Sequence, residues 1–366
     1  MTRERTIARL AAAALVCAGA AALWGFFAAR PAFFAAWLAA FYFWIGVPLG
    51  ALALLLIHDL TGGRWERTAR APLEAAAATL PLFILLFLPV AAGLPALYAW
   101  ARPEAAAALP NRWYLNIDFF ALRAAGYFVV WCGVAALRLR RPRAALPSAV
   151  AGIGLALLGL GVSFASIDWI MSIEPHWFST IYGMVAGSSQ FIASLALVLL
   201  LIAVAGPAAG LDREAYRDDL ANLATILLAV VIFWAYASFC QYLIVWEENL
   251  SAEIGWYIER WRGGWADVIY GVALAQFLVP FAALVTTPAK RSRAVVGAVA
   301  CLLLGADLVQ VWWLALPPFG AAGFTWLAPV LAVFIGGAWV LAFLLALRWG
   351  AGLPLVAARA QRLGHG

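Results

Sequence analysis

The sequence predicts an all-α polytopic membrane protein, and three observations carry that class. Apolar residues make up 66% of the 366-residue chain and charged residues only 11%, with a mean hydropathy of +0.93, far from the composition of soluble domains. About ten separate runs each reach the roughly 20 apolar residues that cross a bilayer as a helix. These runs are continuous rather than alternating, which excludes a transmembrane barrel. Residues 1–366 therefore read as one integral membrane domain, and the +6 net charge is read as an insertion signal and a contact for anionic lipid rather than as nucleic-acid binding.

The first run, Ile7–Ala29, follows the basic start Arg3, Arg5 and Arg9. It is longer than the core of a cleaved signal, so a retained span is expected. Ala32–Ile57 is the second and stops at His58 and Asp59 before the Gly62-Gly63 turn. Leu73–Ala101 is the third, and Arg102–Asn116 links it to the fourth, Leu115–Leu137, which carries Asp118 and Arg123 in its first turns. The fifth, Ala145–Met171, is lined by Gly152, Gly154, Gly159 and Gly161 and leads into Asp168, Glu174 and His176, with Pro175 expected to break the helix. Ser179–Ala205 opens with the pair Gly183 and Gly187, the small residues that let helices approach. Leu220–Trp246 ends at Glu247 and Glu248. The segment Glu247–Gly264 then reads as an interfacial helix anchored by Trp256, Tyr257, Trp261 and Trp265. Trp265–Thr286, Ala294–Leu316 with Asp307 inside it, and Phe324–Leu347 complete the set.

Placing the N-terminus in the cytoplasm puts eighteen of the 24 basic residues inside and five outside, with Arg123 within a span. That distribution obeys the positive-inside rule and makes both termini cytoplasmic. The inside set includes Arg64, Arg138, Arg143, Arg213, Arg217, Arg291, Arg293, Arg359 and Arg362; Arg260 and Arg262 fall outside.

Scarcity is informative too. Cys17, Cys132, Cys240 and Cys301 lie far apart in apolar spans, without a CxxC or CxxCH motif. No covalent c-type haem or cysteine-ligated iron–sulfur cluster is therefore expected in this chain. His58, His176 and His365 are the only histidines and cannot form the facing pairs of a membrane b-type cytochrome. Any redox cofactor is expected to belong to a partner, and no metal site is expected here.

The chemistry concentrates at helix ends. In the assigned orientation Asp118, Arg123, Asp168, Glu174 and His176 all reach the outer face. Ionisable groups at membrane depth are costly and rare without a partner or a task. Arg123 is expected to pair across helices with Asp168, since Asp118 lies five residues away on another helix face. Together the five make a candidate quinone-binding or outer proton site. His58 and Asp59 at the inner end, with Asp307 within a span, are candidates for a proton pathway. The plain alternatives are solvated rim carboxylates outside and ordinary helix termination at His58.

The motifs LTGGRW after the second run, YLNIDFFALRAAGYF into the fourth, SFASIDWIMSIEPHWFSTIYG around the fifth, and SFCQYLIVWEEN with WYIERW resemble the F subunit of bacterial alternative complex III. That subunit is similar to the NrfD-like membrane anchor of polysulfide reductase. The resemblance covers most of the chain. It implies two four-helix bundles, 32–172 and 179–316, with flanking helices, in the inner membrane of a bacterium. It also implies partners: a c-type cytochrome, an iron–sulfur subunit, a second NrfD-like subunit and, downstream, a haem–copper oxidase. Haem c and iron–sulfur clusters would sit in those partners, and the quinol site is expected more firmly in the second NrfD-like subunit. Two positions depart from the family pattern: Asp59, where a second histidine is commoner, and Asp118, where an apolar residue or proline is usual.

The leading expectation is thus a cofactor-free membrane subunit of a quinol:cytochrome c or quinol:oxidase complex, binding quinone or conducting protons, with no catalysis of its own. A secondary transporter, which would place broken helices and charges near the midplane, and a purely structural anchor are the alternatives.

Overall fold

A computed structural model describes residues 2–63, 65–107, 109–141, 145–207 and 212–348. Arg64, Arg143, Arg359, Arg362 and His365 lie outside the described residues. All regular structure among the described residues is helical, and ten helices are long and apolar enough to cross a membrane.

Helix α1 (Thr2–Ala28) runs into α2 (Arg30–Thr61), with Pro31 at the start of α2, where its missing N–H costs nothing. The third span is divided. Helix α3 (Arg70–Ala77) and α4 (Leu80–Ala92) are separated by a turn at Ala78–Thr79, because Pro81 cannot donate to Ala77 and its ring crowds that carbonyl. Thr79 seals the break: its hydroxyl donates to Ala76 O at 2.7 Å and accepts from Trp339 Nε1 at 2.9 Å. Short helical turns, not a continuing span, fill 94–101. Helix α5 (Ile117–Leu139) is capped by Asn116, whose side chain accepts from Phe119 N at 2.9 Å. Helix α6 (Ser148–Trp169) ends six residues before Pro175, so the proline does not break it.

The second half contains α7 (Tyr182–Ala205), α8 (Arg213–Glu248, capped by Asp212), the short α9 (Ser251–Arg260) and α10 (Trp265–Ala273). A π-helical segment, Leu274–Leu278, joins α10 to α11 (Val279–Leu284). Val279 N donates to Leu274 O, five residues back, and Pro280 supplies no donor to resume the regular register. Helices α12 (Arg293–Ala315, capped by Ser292) and α13 (Leu327–Arg348) follow.

Helix α2 organises the molecule. It is apolar all round, as a fully enclosed helix must be, and the run Ala35 to Phe41 is almost wholly buried. It packs on α3, α4 and α6 of the first half, on α7 and α12 of the second, and on α13. Helices α1 and α13 pack against each other at the flank. Close approach of α2 and α7 depends on two glycines. A Cβ on Gly46 would lie 2.7 Å from Gln190 Cγ, and one on Gly50 would lie 2.6 Å from Gln190 O and Ser194 Cβ. Gly183 of α7 does the same for α6, where an added Cβ would meet Ser163 Cβ and Oγ at 2.6 Å.

The segment 247–264 differs from expectation in one respect. Trp256 and Tyr257 are buried rather than anchored at the surface, and Trp256 stacks on Trp177 at 4.4 Å. Trp261 is exposed, as a headgroup anchor is.

Candidate functional site

The residues expected to form one outer site separate into two. In the first, Arg123 and Tyr127 stand four residues apart on one face of α5 and both reach the end of α6. Arg123 Nε donates to Asp168 Oδ2 at 2.8 Å and Nη2 to Oδ1 at 2.9 Å, a bidentate pair. Tyr127 donates to the same Oδ2 at 2.6 Å. The remaining guanidinium nitrogen, Nη1, donates to Tyr114 O at 2.9 Å, and the cation sits 3.8 Å over the Tyr114 ring. Burial, reinforced by the Asp168 charge, pushes the Tyr114 phenol up to about 12.

The end of α6 is held from behind. Ser172 Oγ donates to Asp168 O at 2.5 Å, Trp100 Nε1 to Ser172 O at 3.2 Å, and Tyr98 Oη to Trp169 O at 2.8 Å. Trp169 is enclosed by the rings of Phe41, Phe87, Phe128 and Trp131. Asp168 is fully buried in this frame.

Glu174 belongs to the second pair. A short 3-10 turn after α6, Met171–Ile173, carries it to α9, where Arg260 Nη2 donates to Glu174 Oε2 at 2.6 Å and to Leu314 O at 2.8 Å. The guanidinium lies 3.6 Å over Trp256. Burial lowers the Arg260 pKa from its usual range, with Glu174 opposing that shift. Asp118 and His176 join neither pair: both are exposed. The expected five-residue site is thereby corrected to two separate ion pairs with two surface residues beside them.

Asp307 forms a third cluster inside the second half. The Ser189 hydroxyl donates to Asp307 Oδ1, and Gln276 Nε2 reaches the same oxygen at 3.4 Å and Gln310 Oε1 at 2.8 Å. Gln276 stands on the π-helical segment. No cation lies within ion-pair distance of Asp307 among the described residues. Between this cluster and the first half, Tyr42 Oη, Gln190 Oε1 and Ser194 Oγ are buried without a protein hydrogen-bond partner.

At the end of α2, on the face expected to be inner, His58 and Asp59 enter a larger network. Arg138, fully buried near the end of α5, pairs with Asp59 at 2.7 Å and lies 3.8 Å from Glu66 and 3.7 Å from Glu74. Glu66 also binds Arg70 and faces His58 Nδ1 at 3.0 Å, while His58 Nε2 lies 3.0 Å from Gly63 O. Arg123 is therefore not the single buried cation of the spans, because Arg138 is more deeply enclosed. Nearby, Arg67 clamps Asp219 of α8 through two bonds of 3.0 and 3.1 Å, and Thr68 donates to it at 2.5 Å.

Sequence reasoning missed Glu66 in the turn after α2, Glu74 within α3, and Arg138 and Arg260 in the last turns of α5 and α9, places near the span ends where a buried charge and a rim charge read alike. It read Gln190 and Gln276 only as packing and repeat signals of the sixth and eighth runs, and gave Gln310 no role. These polar amides inside apolar runs were the available signal. No family model matches the chain, and no curated protein matches it.

Proposed function

We propose that this chain is a cofactor-free membrane subunit of a quinol-oxidising electron-transfer complex of the alternative complex III kind, and that its own task is to carry protons. The carrying observation is the series of buried polar clusters: Asp59–Arg138–Glu66–His58 at one face, Asp307–Gln276–Ser189 within the second half, and Arg123–Asp168 and Arg260–Glu174 at the other face. Burying so many ionisable groups in an apolar bundle is costly. Both ring nitrogens of His58 face oxygen acceptors, an arrangement suited to a group that takes a proton from one side and passes it to another. The resemblance of the motifs around Asp168 to the F subunit supplies the context: iron–sulfur, c-type cytochrome and second NrfD-like partners in a bacterial inner membrane.

Proton transfer is better supported than quinol oxidation at Asp168 itself. That carboxylate already accepts from Arg123 twice and from Tyr127, and His176 stands apart from it. A second reading, ion transport without quinol, draws on one observation: Asp307 and the π-helical segment lie well inside the spans, as a transport site would.

Mild-detergent purification from the native membrane, followed by mass spectrometry, separates the two. Co-purifying haem c and iron–sulfur subunits are expected. Asp307→Asn in that complex should slow quinol-driven proton release at least tenfold while the complex stays assembled. A chain that purifies alone sinks the subunit reading. Unaltered proton release in Asp307→Asn sinks the proposed proton role.

A further inference from the structure

A cavity of about 680 Å³ opens where the ends of α7, α8 and α12 meet, and its walls carry Arg213, Arg217, Arg291 and Arg293 with no carboxylate. A second cavity of about 650 Å³ lies on the other side of α8 and is rich in carboxylates: Asp212, Glu214, Asp218 and Asp219 face Arg67, Lys290 and Arg291. The two cavities share Arg291, which turns towards Glu214 at 2.7 Å and Asp218 at 2.5 Å. The carboxylates thus collect on one side of α8. Arg217 also reaches Glu214, at 3.6 Å, so Arg213 and Arg293 are the cations of the other side with no carboxylate within ion-pair distance among the described residues.

Within the cationic cavity the arginines are of two kinds. Arg293 is fixed: its Nε and Nη2 donate to Ala203 O at 2.9 and 2.7 Å, one of the carbonyls that α7 leaves unpaired at its end. Those bonds hold the guanidinium in place without neutralising it. Arg213 is exposed and has no carboxylate within ion-pair distance among the described residues. Tyr216 spends its hydroxyl proton on Ile202 O. Ser292 Oγ accepts from Val295 N and keeps its own proton to donate. Arg213 and Arg293 are the first residues of α8 and α12, so the positive ends of two long helices add to the field.

We propose that this cavity binds the phosphate of an anionic phospholipid. Depth selects the lipid. The cavity sits at the first residues of α8 and α12, ahead of the apolar runs that begin at Leu220 and Ala294, a polar margin of the kind where a bilayer holds its phosphates, and basic pockets between transmembrane helices bind such headgroups. The fixed Arg293 and the exposed Arg213 supply the fork-like donors that a phosphate accepts, with the Ser292 hydroxyl beside them. The inference does not depend on the function proposed above.

Native mass spectrometry of the purified protein with phosphatidylglycerol or phosphatidylcholine of identical acyl chains tests it. Retention of phosphatidylglycerol over phosphatidylcholine is expected. The double variant Arg213→Gln/Arg293→Gln should lower that retention by roughly thirty-fold at low salt, and Arg213→Gln alone, at an exposed residue, by roughly fivefold. Arg102→Gln/Arg262→Gln, which removes the same charge at the opposite end, should leave it unchanged. Arg293→Lys should recover part of the loss, because the charge returns without the fork. Equal retention of the two lipids, or equal loss in the opposite-end control, overturns the proposal. So does displacement of phosphatidylglycerol by inorganic phosphate at equal concentration, which would assign the site to a soluble phosphate.

Discussion

Asp168 accepts three short hydrogen bonds from two side chains while fully buried. Removing one partner of a buried ion pair leaves the other charge without compensation, at a cost of about 3–5 kcal/mol. Asp168→Asn should therefore destabilise the protein by about that amount, while Arg123→Leu/Asp168→Leu should lose much less. Thermal unfolding of both variants in one detergent checks the contrast. Equal losses would mean that the pair contributes packing rather than charge.

Tyr114 offers a second test at the residue scale. Its phenol is raised from an ordinary value of 10 to about 12, so the folded state holds the proton more tightly than the unfolded chain. The associated stability is complete below pH 10 and disappears as the pH rises through about 12. Tyrosinate absorbance of Tyr114→Phe against the parent should lose a component titrating near 12. A missing component near 10 instead would show that Tyr114 is solvated.

At the scale of elements, the crossing of α2 and α7 rests on Gly46 and Gly50. An added methyl at Gly50 meets the backbone carbonyl of Gln190, which cannot swing away as a flexible side chain would. Gly50→Ala is expected to cost about 1–3 kcal/mol through overpacking. Gly126→Ala, where nothing lies within 4 Å, should be neutral or slightly stabilising. Unfolding midpoints of the two variants decide it, and equal midpoints would remove the close-approach argument.

Helix existence was legible in the sequence because each span is a long apolar run, and the pairing of Arg123 with Asp168 was legible because few charges lie that deep. Helix breaks were harder to see. Pro81 divides the third span, yet Pro48 sits inside α2 without dividing it, so proline alone does not reveal where a helix stops. Glu66, Glu74 and Arg260 escaped notice for another reason. Their burial is created by elements far away in sequence: α5 encloses the first two, and the end of α12 encloses Arg260.

For the whole molecule, sidedness is the most consequential expectation. If the basic inner face is cytoplasmic, single cysteines at Arg217 and Glu104 should react with an impermeant thiol reagent from opposite sides of sealed membranes. Both positions are exposed at opposite ends of the bundle. Labelling from the same side would reverse or break the assigned topology. The native cysteines are no obstacle in principle, since each lies within a span, where the reagent does not reach.

Arg138 also bears on how the chain is made. Each carboxylate around it, Asp59, Glu66 and Glu74, precedes it in the sequence. During synthesis, three acidic groups therefore leave the ribosome and reach the bilayer surface before their shared cation exists. This end of the first five helices can lock only when the last turn of α5 arrives. Until then the hairpin of α2 with α3 and α4 has to wait beside the insertion machinery with its acids in water. A cysteine placed at Leu60 should accordingly be more accessible to an impermeant thiol reagent in a chain truncated just before Arg138 than in one that includes it.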